Sequence, residues 1–352
     1  MLFQKKKDLI GIDIGSSAVK IVHLKESKGR FELATLGMSL LPPEAIVDNA
    51  IMDSSTIVEV VKGLVESLKI KTKNVATSIS GHSVIIRKIQ MPIMTEEEME
   101  SSIKWEAEQY IPFEISEVNL DFQQLGPDEN DNSMVNVILV AAKKDFVNDY
   151  VALFKECGLE PLVMDIDCFA VENVFETSYG MAEEEVVALI DMGASSMNVN
   201  VLKNGASVFT RDIQVGGNVY NEEIQKRLGV DGETADKLKF GTEVDDIEPE
   251  RVSEIIEDAT ENLAQELQRS IDFFAATTAD EKVQKVYITG GVSKIPSVKP
   301  ALESRLGVAV EHIDPWRQIA HNEKDFDPEY LNTMGPVYTV AVGLAMRRMG
   351  DK

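Results

Sequence analysis

An α/β fold of two duplicated lobes is what this sequence predicts, and three short motifs carry the prediction. Ile10-Gly11-Ile12-Asp13-Ile14-Gly15-Ser16-Ser17-Ala18-Val19-Lys20 opens the chain. Val187-Ala188-Leu189-Ile190-Asp191-Met192-Gly193-Ala194-Ser195-Ser196-Met197-Asn198 echoes it roughly 180 residues later. Each reads as an apolar strand, an Asp-x-Gly turn with small residues, and a second strand. The third motif, Val286-Tyr287-Ile288-Thr289-Gly290-Gly291-Val292-Ser293-Lys294-Ile295-Pro296, is a β-rich run that ends in paired glycines and leads towards a helix.

The elements between these motifs repeat one plan. Residues 9–14, 18–25 and 31–40 read as a three-stranded meander. Ile57, Val60, Val61, Leu64 and Leu68 give 53–69 a helical period, and Val75–Ser80 follows as a strand into Gly81. Residues 82–158 interrupt the plan as an inserted subdomain. Val84–Pro92 alternates like a strand, and Thr95-Glu96-Glu97-Glu98 is a capping box for a helix running to Tyr110 and stopped by Pro112. Strands near 118–125 and 134–142 flank a polar turn, and Phe146, Tyr150, Leu153 and Phe154 mark a helix ending at Gly158. Strand 160–166 and helix 168–178 return to the first lobe, whose core is expected over 8–81 and 159–180. An acidic connector, 179–185, is a hinge candidate. A second lobe over 186–352 then repeats the order with strands 186–191, 197–202 and 206–215. Residues 218–279 read as almost wholly helical, and Val337–Met349 as a small-residue helix packing near the hinge.

The motifs point to polyanion binding. Gly15 and Gly193 allow a tight turn with φ > 0, and their small neighbours let backbone N–H groups approach phosphate. Gly15, Ser16 and Ser17, with Gly193, Ala194 and Ser195, are the expected donors. Asp13 and Asp191, each at a strand end, are placed to hold magnesium through its water shell; as ordinary turn residues they would only bond their own backbone. Gly290, Gly291 and Val292 offer a flat backbone against which a planar base could lie. Gly-x4-Gly-Lys-[Ser/Thr] does not occur, and no Gly-x-Gly-x-x-Gly opens a dinucleotide-binding unit.

Composition narrows the class. A formal charge of −25 opposes binding to nucleic acid or flat adsorption on anionic lipid. With 44% hydrophobic residues and no apolar run of membrane-spanning length, the chain reads as globular, with no signal peptide. Cys157 and Cys168 lack a Cys-x-x-Cys pattern and suit buried thiols in a reducing cytoplasm. Four scattered histidines argue against a transition-metal site. Lys5-Lys6-Lys7 reads as a solvated tail, or as a contact with lipid or a partner.

In order and spacing the three motifs resemble the phosphate-1, phosphate-2 and adenosine motifs of the actin-like ATPase superfamily, whose lobes are duplicated ribonuclease-H-like domains. Lys88-Ile89-Gln90-Met91-Pro92 and Glu106-Ala107-Glu108-Gln109-Tyr110-Ile111-Pro112-Phe113 sharpen this, because nucleotide binding demands neither. With them, essentially the whole chain resembles the PilM family, actin-like, FtsA-related proteins of type IV pilus assembly. The resemblance implies ATP and Mg2+ between the lobes, and docking of the N-terminal cytoplasmic peptide of PilN, an inner-membrane partner, on the inserted subdomain. It implies Lys20 as a phosphate contact, where a strand-end lysine is otherwise solvated, and Gly216, Gly217 and Asn218 as the loop opening the second-lobe helices near the nucleotide, where the alternative is a simple helix start. Asp236 and Lys239, one helical turn apart, could reach one ribose or adenine edge, although the superfamily often carries Glu at the first position. Asp167 stands where relatives carry a Glu or Gln that positions the attacking water. It could equally cap helix 168–178, and as the shorter acid it suits slow ATP turnover at most.

Ile86, Ile89, Met91, Trp105, Tyr110 and Phe113 could line a peptide groove, although their spacing already suits a core. Two other functions compete. A sugar or acetate kinase of the same fold would need a catalytic Asp where the insert lies. A polymerising FtsA-like protein would form a filament or ring at the membrane, but FtsA ends in a linker and an amphipathic helix, whereas this chain stops at Arg347-Arg348-Met349-Gly350-Asp351-Lys352. The expectation is therefore a scaffold in the cytoplasm, peripheral to the inner membrane through partners. Those are PilN and other inner-membrane proteins of the pilus machine, with self-association into a ring as a further possibility.

Overall fold

The computed structural model describes residues 8–128, 131–180, 185–278 and 281–351. The lysines at 5–7 and most of the acidic connector (181–184) lie outside them. The meander forms as β1 (Ile10–Ile14), β2 (Ala18–Ser27) and β3 (Arg30–Leu40). A two-residue hairpin, β4 (Ile46–Val47) and β5 (Ala50–Ile51), leads to α1 (Ser54–Ser67), capped by the Asp53 side chain, and then β6 (Asn74–Ile79). The insert begins with β7 (Val84–Pro92) and α2 (Glu96–Ala107), where Thr95 and Glu98 form the expected capping box. β8 (Val118–Pro127) and β9 (Met134–Lys143) follow, with β9 central in an antiparallel sheet β7-β9-β8. Next come α3 (Lys144–Glu156), β10 (Glu160–Ile166) and α4 (Asp167–Tyr179).

The second hairpin is β11 (Val186–Met192) and β12 (Met197–Lys203), extended by β13 (Ala206–Ile213). Three helices follow: α5 (Asn218–Leu228), α6 (Gly232–Lys239) and α7 (Pro249–Thr277). The largely helical stretch expected over 218–279 is thus divided into three helices. Gly229 ends α5 with φ +70° and Gly241 follows α6 with φ +82°, while Pro249 supplies the first turn of α7. The chain closes with β14 (Lys285–Thr289), α8 (Val298–Leu306), β15 (Ala309–His312), β16 (Ile319–Ala320) and α9 (Pro328–Met346).

Two twisted sheets carry the lobes, one ordered β10-β6-β1-β2-β3-β16 and the other β13-β12-β11-β14-β15. Both have an antiparallel hairpin beside a parallel strand, β1 next to β6 and β11 next to β14. This is the bilobal actin-like architecture, with the insert projecting from the first lobe.

Two expected boundaries move. α3 packs Tyr150, Leu153 and Phe154 into the core formed by Ile10, Ile57 and Val61, so it belongs with the first lobe. The insert's own core ends in β9, with Met99, Ile103, Val137 and Leu139. At the other end, a second lobe reaching residue 352 is too long. β16 pairs with β3 in the first sheet, and α9 lies against β1, β2 and α4. α9 also starts nine residues earlier than expected and carries Pro336 inside it, where the carbonyl accepts from Gly290 N–H at 2.9 Å. α2 ends three residues short of Tyr110, at Ala107.

α9 approaches its neighbours through glycine. A Cβ on Gly11 of β1 would overlap the Ala341 carbonyl, and one on Gly343 would overlap the Ala170 carbonyl of α4. Both obstacles are backbone, which cannot swing aside. Gly343→Ala is expected to lower stability by about 1–3 kcal/mol or more. Gly63→Ala, on the exposed side of α1 with open space around it, should raise stability by about 0.5–1 kcal/mol. Denaturant unfolding of the two variants checks the pair.

Candidate functional site

The two hairpins meet with their aspartates facing one another electrostatically. Across the first, Asp13 is in register with Lys20, and Lys20 Nζ lies 2.9 Å from Asp13 Oδ2. Across the second, Asp191 is in register with Asn198, a neutral residue. Among the described residues, Asn198 Oδ1 is buried without a hydrogen-bond donor. Asp191 therefore has an amide where Asp13 has an ammonium.

The consequence appears in the ionisation. Burial pushes Asp191 up to about 7, with Asp167 and Asp13 adding to the rise and Lys20 opposing it. Burial also lifts Asp167 to about 6, with Asp13 and Asp212 adding; the Ser78 and Ser80 hydroxyls pull it down. Burial works against the Lys20 charge, yet Asp13, Asp191 and Asp167 together hold its pKa above the usual lysine value. One ammonium thus stands among three carboxyl groups. Among the described residues, no three His, Cys, Asp or Glu side chains form an inner-sphere metal cage.

Asp167 is the first residue of α4, and Ile166 rather than Asp167 holds the cap position. The capping alternative is therefore set aside. Asp165, two residues earlier, turns away and lies 2.9 Å from Arg347 Nε.

The glycines act differently from expectation. Neither Gly15 nor Gly193 has positive φ. They are small because space is short: a Cβ on Gly15 would sit 3.0 Å from Lys20 Nζ, and one on Gly193 2.9 Å from the Ser196 carbonyl. Their amides close the turns, donating to Ala18 and Ser196 carbonyls at 3.1 and 3.0 Å. The apex of each turn is left to Ser16 and Ser17, or to Ala194 and Ser195. The amides of Gly217 and Asn218 are also committed, to the Gly193 and Ala194 carbonyls at 2.9 and 2.7 Å. Gly216 is pressed so closely against the same carbonyls that a Cβ would come within 2.6 Å. This loop buttresses the second hairpin.

The paired glycines abut that hairpin too. Gly290 has φ +84°, and a Cβ there would fall 2.5 Å from Asp191 Oδ1. Gly291 faces open space, and Val292 begins a buried 3-10 turn. Asp236 and Lys239 bond each other at 2.7 Å, with Lys239 buried and Asp236 exposed.

Sequence reasoning missed Phe240, 43% exposed, with Lys239 Nζ 5.0 Å and Lys294 Nζ 5.7 Å from its ring. The signal was present, since Phe240 follows Lys239 and Lys294 follows Gly291 by three. It also missed Ser78 and Ser80, which nothing in a strand-end serine advertises. A separate cavity of about 590 Å3 lies beside Lys294, between Pro296, His312, Asn332 and Gly335; none of the predicted nucleotide residues lines it.

On the insert, Ile89 and Met91 are core, and Ile86 and Phe113 pack partly into cores. Trp105 and Tyr110 are 73% and 41% exposed.

Two lobes with facing acidic hairpins, a buttressing glycine loop and a Gly-Gly turn define an actin-like fold. A model of the type IV pilus assembly protein PilM family matches residues 11–349, and the chain belongs to that family. It is similar to the solved PilM-PilN type IV pilus biogenesis complex, at 30% identity and TM-score 0.87 over 97% of this chain and 98% of that one. MreB 5 of Spiroplasma citri bound to AMPPNP shares the fold, at 11% identity and TM-score 0.54, with 96% and 94% covered. Cell division protein FtsA of Streptococcus pneumoniae is 22% identical over 264 residues, 65% of this chain. The match spans about half, 54%, of that relative's length.

The raised carboxyls make a stability prediction. Because Asp191 and Asp167 hold protons to higher pH than in the unfolded chain, their contribution is full below the unfolded carboxylate range. It is lost as pH rises through about 6 and 7. Unliganded Asp191→Asn, which cannot ionise, should melt a few degrees above the parent at pH 8. The gap should shrink towards pH 5, and superimposable melting curves at pH 8 would refute the assignment.

Proposed function

We propose that this member of a pilus-assembly family is a scaffold that holds Mg2+-ATP between its lobes. On this reading it also docks the N-terminal cytoplasmic peptide of PilN on its inserted subdomain. The observation that carries the nucleotide half is the convergence of Asp13, Lys20, Asp167 and Asp191 on two turns of small residues. Three acids and one lysine repel a bare triphosphate, but suit one that arrives with a divalent cation. The donor set fits hydrated magnesium: hard carboxylate oxygens, no inner-sphere cage among the described residues, and the orphaned Asn198 Oδ1, which a metal-bound water could satisfy. MreB 5 with AMPPNP supports the reading by fold.

Bound magnesium would neutralise phosphate charge. Asp13 and Asp191 would hold its water shell, while Lys20 and the turn apices at Ser16, Ser17, Ala194 and Ser195 would face the phosphates. Gly290, Gly291 and Val292 would support the adenosine, with Phe240, Lys239 and Lys294 around the base and Asp236 at the ribose edge. Asp167, with a pKa about 6, is largely ionised at neutral pH and can orient an attacking water or accept its proton. Nothing beyond slow turnover is required of a scaffold.

The peptide half rests on the insert and on the likeness to the PilM-PilN complex. Among the described residues, no helix is long and apolar enough to cross a membrane. A place at the cytoplasmic face of the inner membrane would then come through PilN and its neighbours. Calorimetric titration with the PilN N-terminal peptide, with and without Mg2+-ATP, tests both halves. Peptide affinity that shifts with nucleotide supports the coupled scaffold, and absence of peptide binding defeats the partner. Asp191→Ala should weaken Mg2+-ATP binding by tenfold or more, on the order of 1.4 kcal/mol, with the fold retained; unchanged affinity would contradict the cleft.

A further inference from the structure

The entrance to the insert is tied to the second lobe by a hydrogen bond. Gly81 lies between β6 and β7, three residues before the insert's first strand, and its N–H donates to Asp212 Oδ2 of β13 at 2.9 Å. The chain is shaped for this contact. Gly81 has φ +90°, and a Cβ there would come within 2.4 Å of the Asn49 side chain, so only glycine presents its amide this way. β7 and β13 approach each other at the same place.

Asp212 is also the outer end of a row that crosses the second sheet. Asp212 is in register with Asn198 on β12, Asn198 with Asp191 on β11, and Asp191 with Thr289 on β14. Directly opposed residues on neighbouring strands share a face of the sheet. One transverse row therefore links the bond at the insert's entrance to the carboxylate at the ligand cleft. Asp212 also raises the pKa of Asp167, so its carboxylate field reaches the first-lobe side of the cleft as well.

We propose that the Gly81–Asp212 hydrogen bond couples the insert to the cleft, so that Asp212 transmits occupancy of one site to the other without touching either ligand. The proposal rests on the reading that the cleft takes Mg2+-ATP and the insert takes a peptide. A peptide that pulls on β7 moves Gly81, and the bond carries that displacement to the edge of the sheet that bears Asp191. By linkage, nucleotide must alter peptide affinity by the same factor as peptide alters nucleotide affinity.

The test uses the full chain with Asp212→Ala, which removes the acceptor, and Asp212→Asn, which keeps a carbonyl oxygen there. Peptide affinity is measured with and without Mg2+-ATP, and exchange of the Gly81 amide is followed in the unliganded protein. The parent should show a coupling of about fivefold or more. Asp212→Ala should bind each ligand alone within about twofold of the parent, yet show no coupling, and its Gly81 amide should exchange faster. Asp212→Asn should restore both coupling and protection. Full coupling in Asp212→Ala, or a Gly81 amide that exchanges equally fast in the parent, overturns the proposal and leaves the scaffold reading intact. A parent that binds nucleotide and peptide without coupling overturns the proposal and leaves the scaffold reading intact, whereas a parent that fails to bind nucleotide removes both.

Discussion

Lys20 is the charge on which the site depends. It sits opposite Asp13 in the first hairpin, and its field is shared by Asp191 and Asp167. The two hairpins are near copies in backbone, but Asn198 occupies in the second the position that Lys20 occupies in the first. A second lysine would have offset one more of the three carboxylates and left a divalent cation less charge to compensate. The asymmetry keeps the cleft short of positive charge, at the cost of a carboxyl lifted to about 7. In a chain of formal charge −25, such a site would, on the proposed reading, favour a ligand that brings its own cation.

Backbone approaching backbone holds these charges in place. Gly216 rests on the Gly193 and Ala194 carbonyls, Gly290 on the Met192 carbonyl, and Gly11 and Gly343 on α9 and α4. Contacts of this kind admit no rotamer adjustment, so the relative positions of hairpin, loop and hinge helix are fixed by packing. The residues that resemble phosphate-binding glycines in sequence divide here into two kinds. Some shape the turn, and others hold it from behind.

Much of this was legible in the sequence, for physical reasons that can be named. Asp13, Asp191 and Gly290 were readable because a strand end followed by Gly constrains both backbone and neighbour. Strand alternation placed β7, β8 and β9 closely, and the Thr95–Glu98 box fixed the start of α2. What failed was anything decided by distant packing. The role of Gly15 depends on Lys20 Nζ rather than on φ, and the allegiance of α3 on Tyr150 and Phe154 meeting α1. α9 was assigned to the wrong lobe because its small residues signal close packing without saying against what. Asp212 carried no signal at all, since its partner is a backbone amide 131 residues away.

Two of the hydrogen bonds between the lobes differ in a way that bears on motion. Glu172 of α4 accepts from Asn200 at 2.7 Å, and burial, only partly offset by that bond, lifts its carboxyl to about 8, so it is mostly neutral at pH 7. It lies where α4 and α9 share a core with strands of both sheets, including Val22, Leu24, Val187 and Leu189. Separating that region would expose apolar surface as well as break a bond, so it suits an axis. The Gly81–Asp212 bond is outside that core, and Asp212 is exposed to solvent. A hydrogen bond to a carboxylate contributes roughly 1.5–3 kcal/mol, a size that the differential affinity of one ligand can outweigh. Opening would therefore turn about α4 and α9 and release the bond at the insert first. A scaffold whose nucleotide state is to be felt by a partner needs this arrangement: a stiff axis, and one weak contact at the far end of the lever.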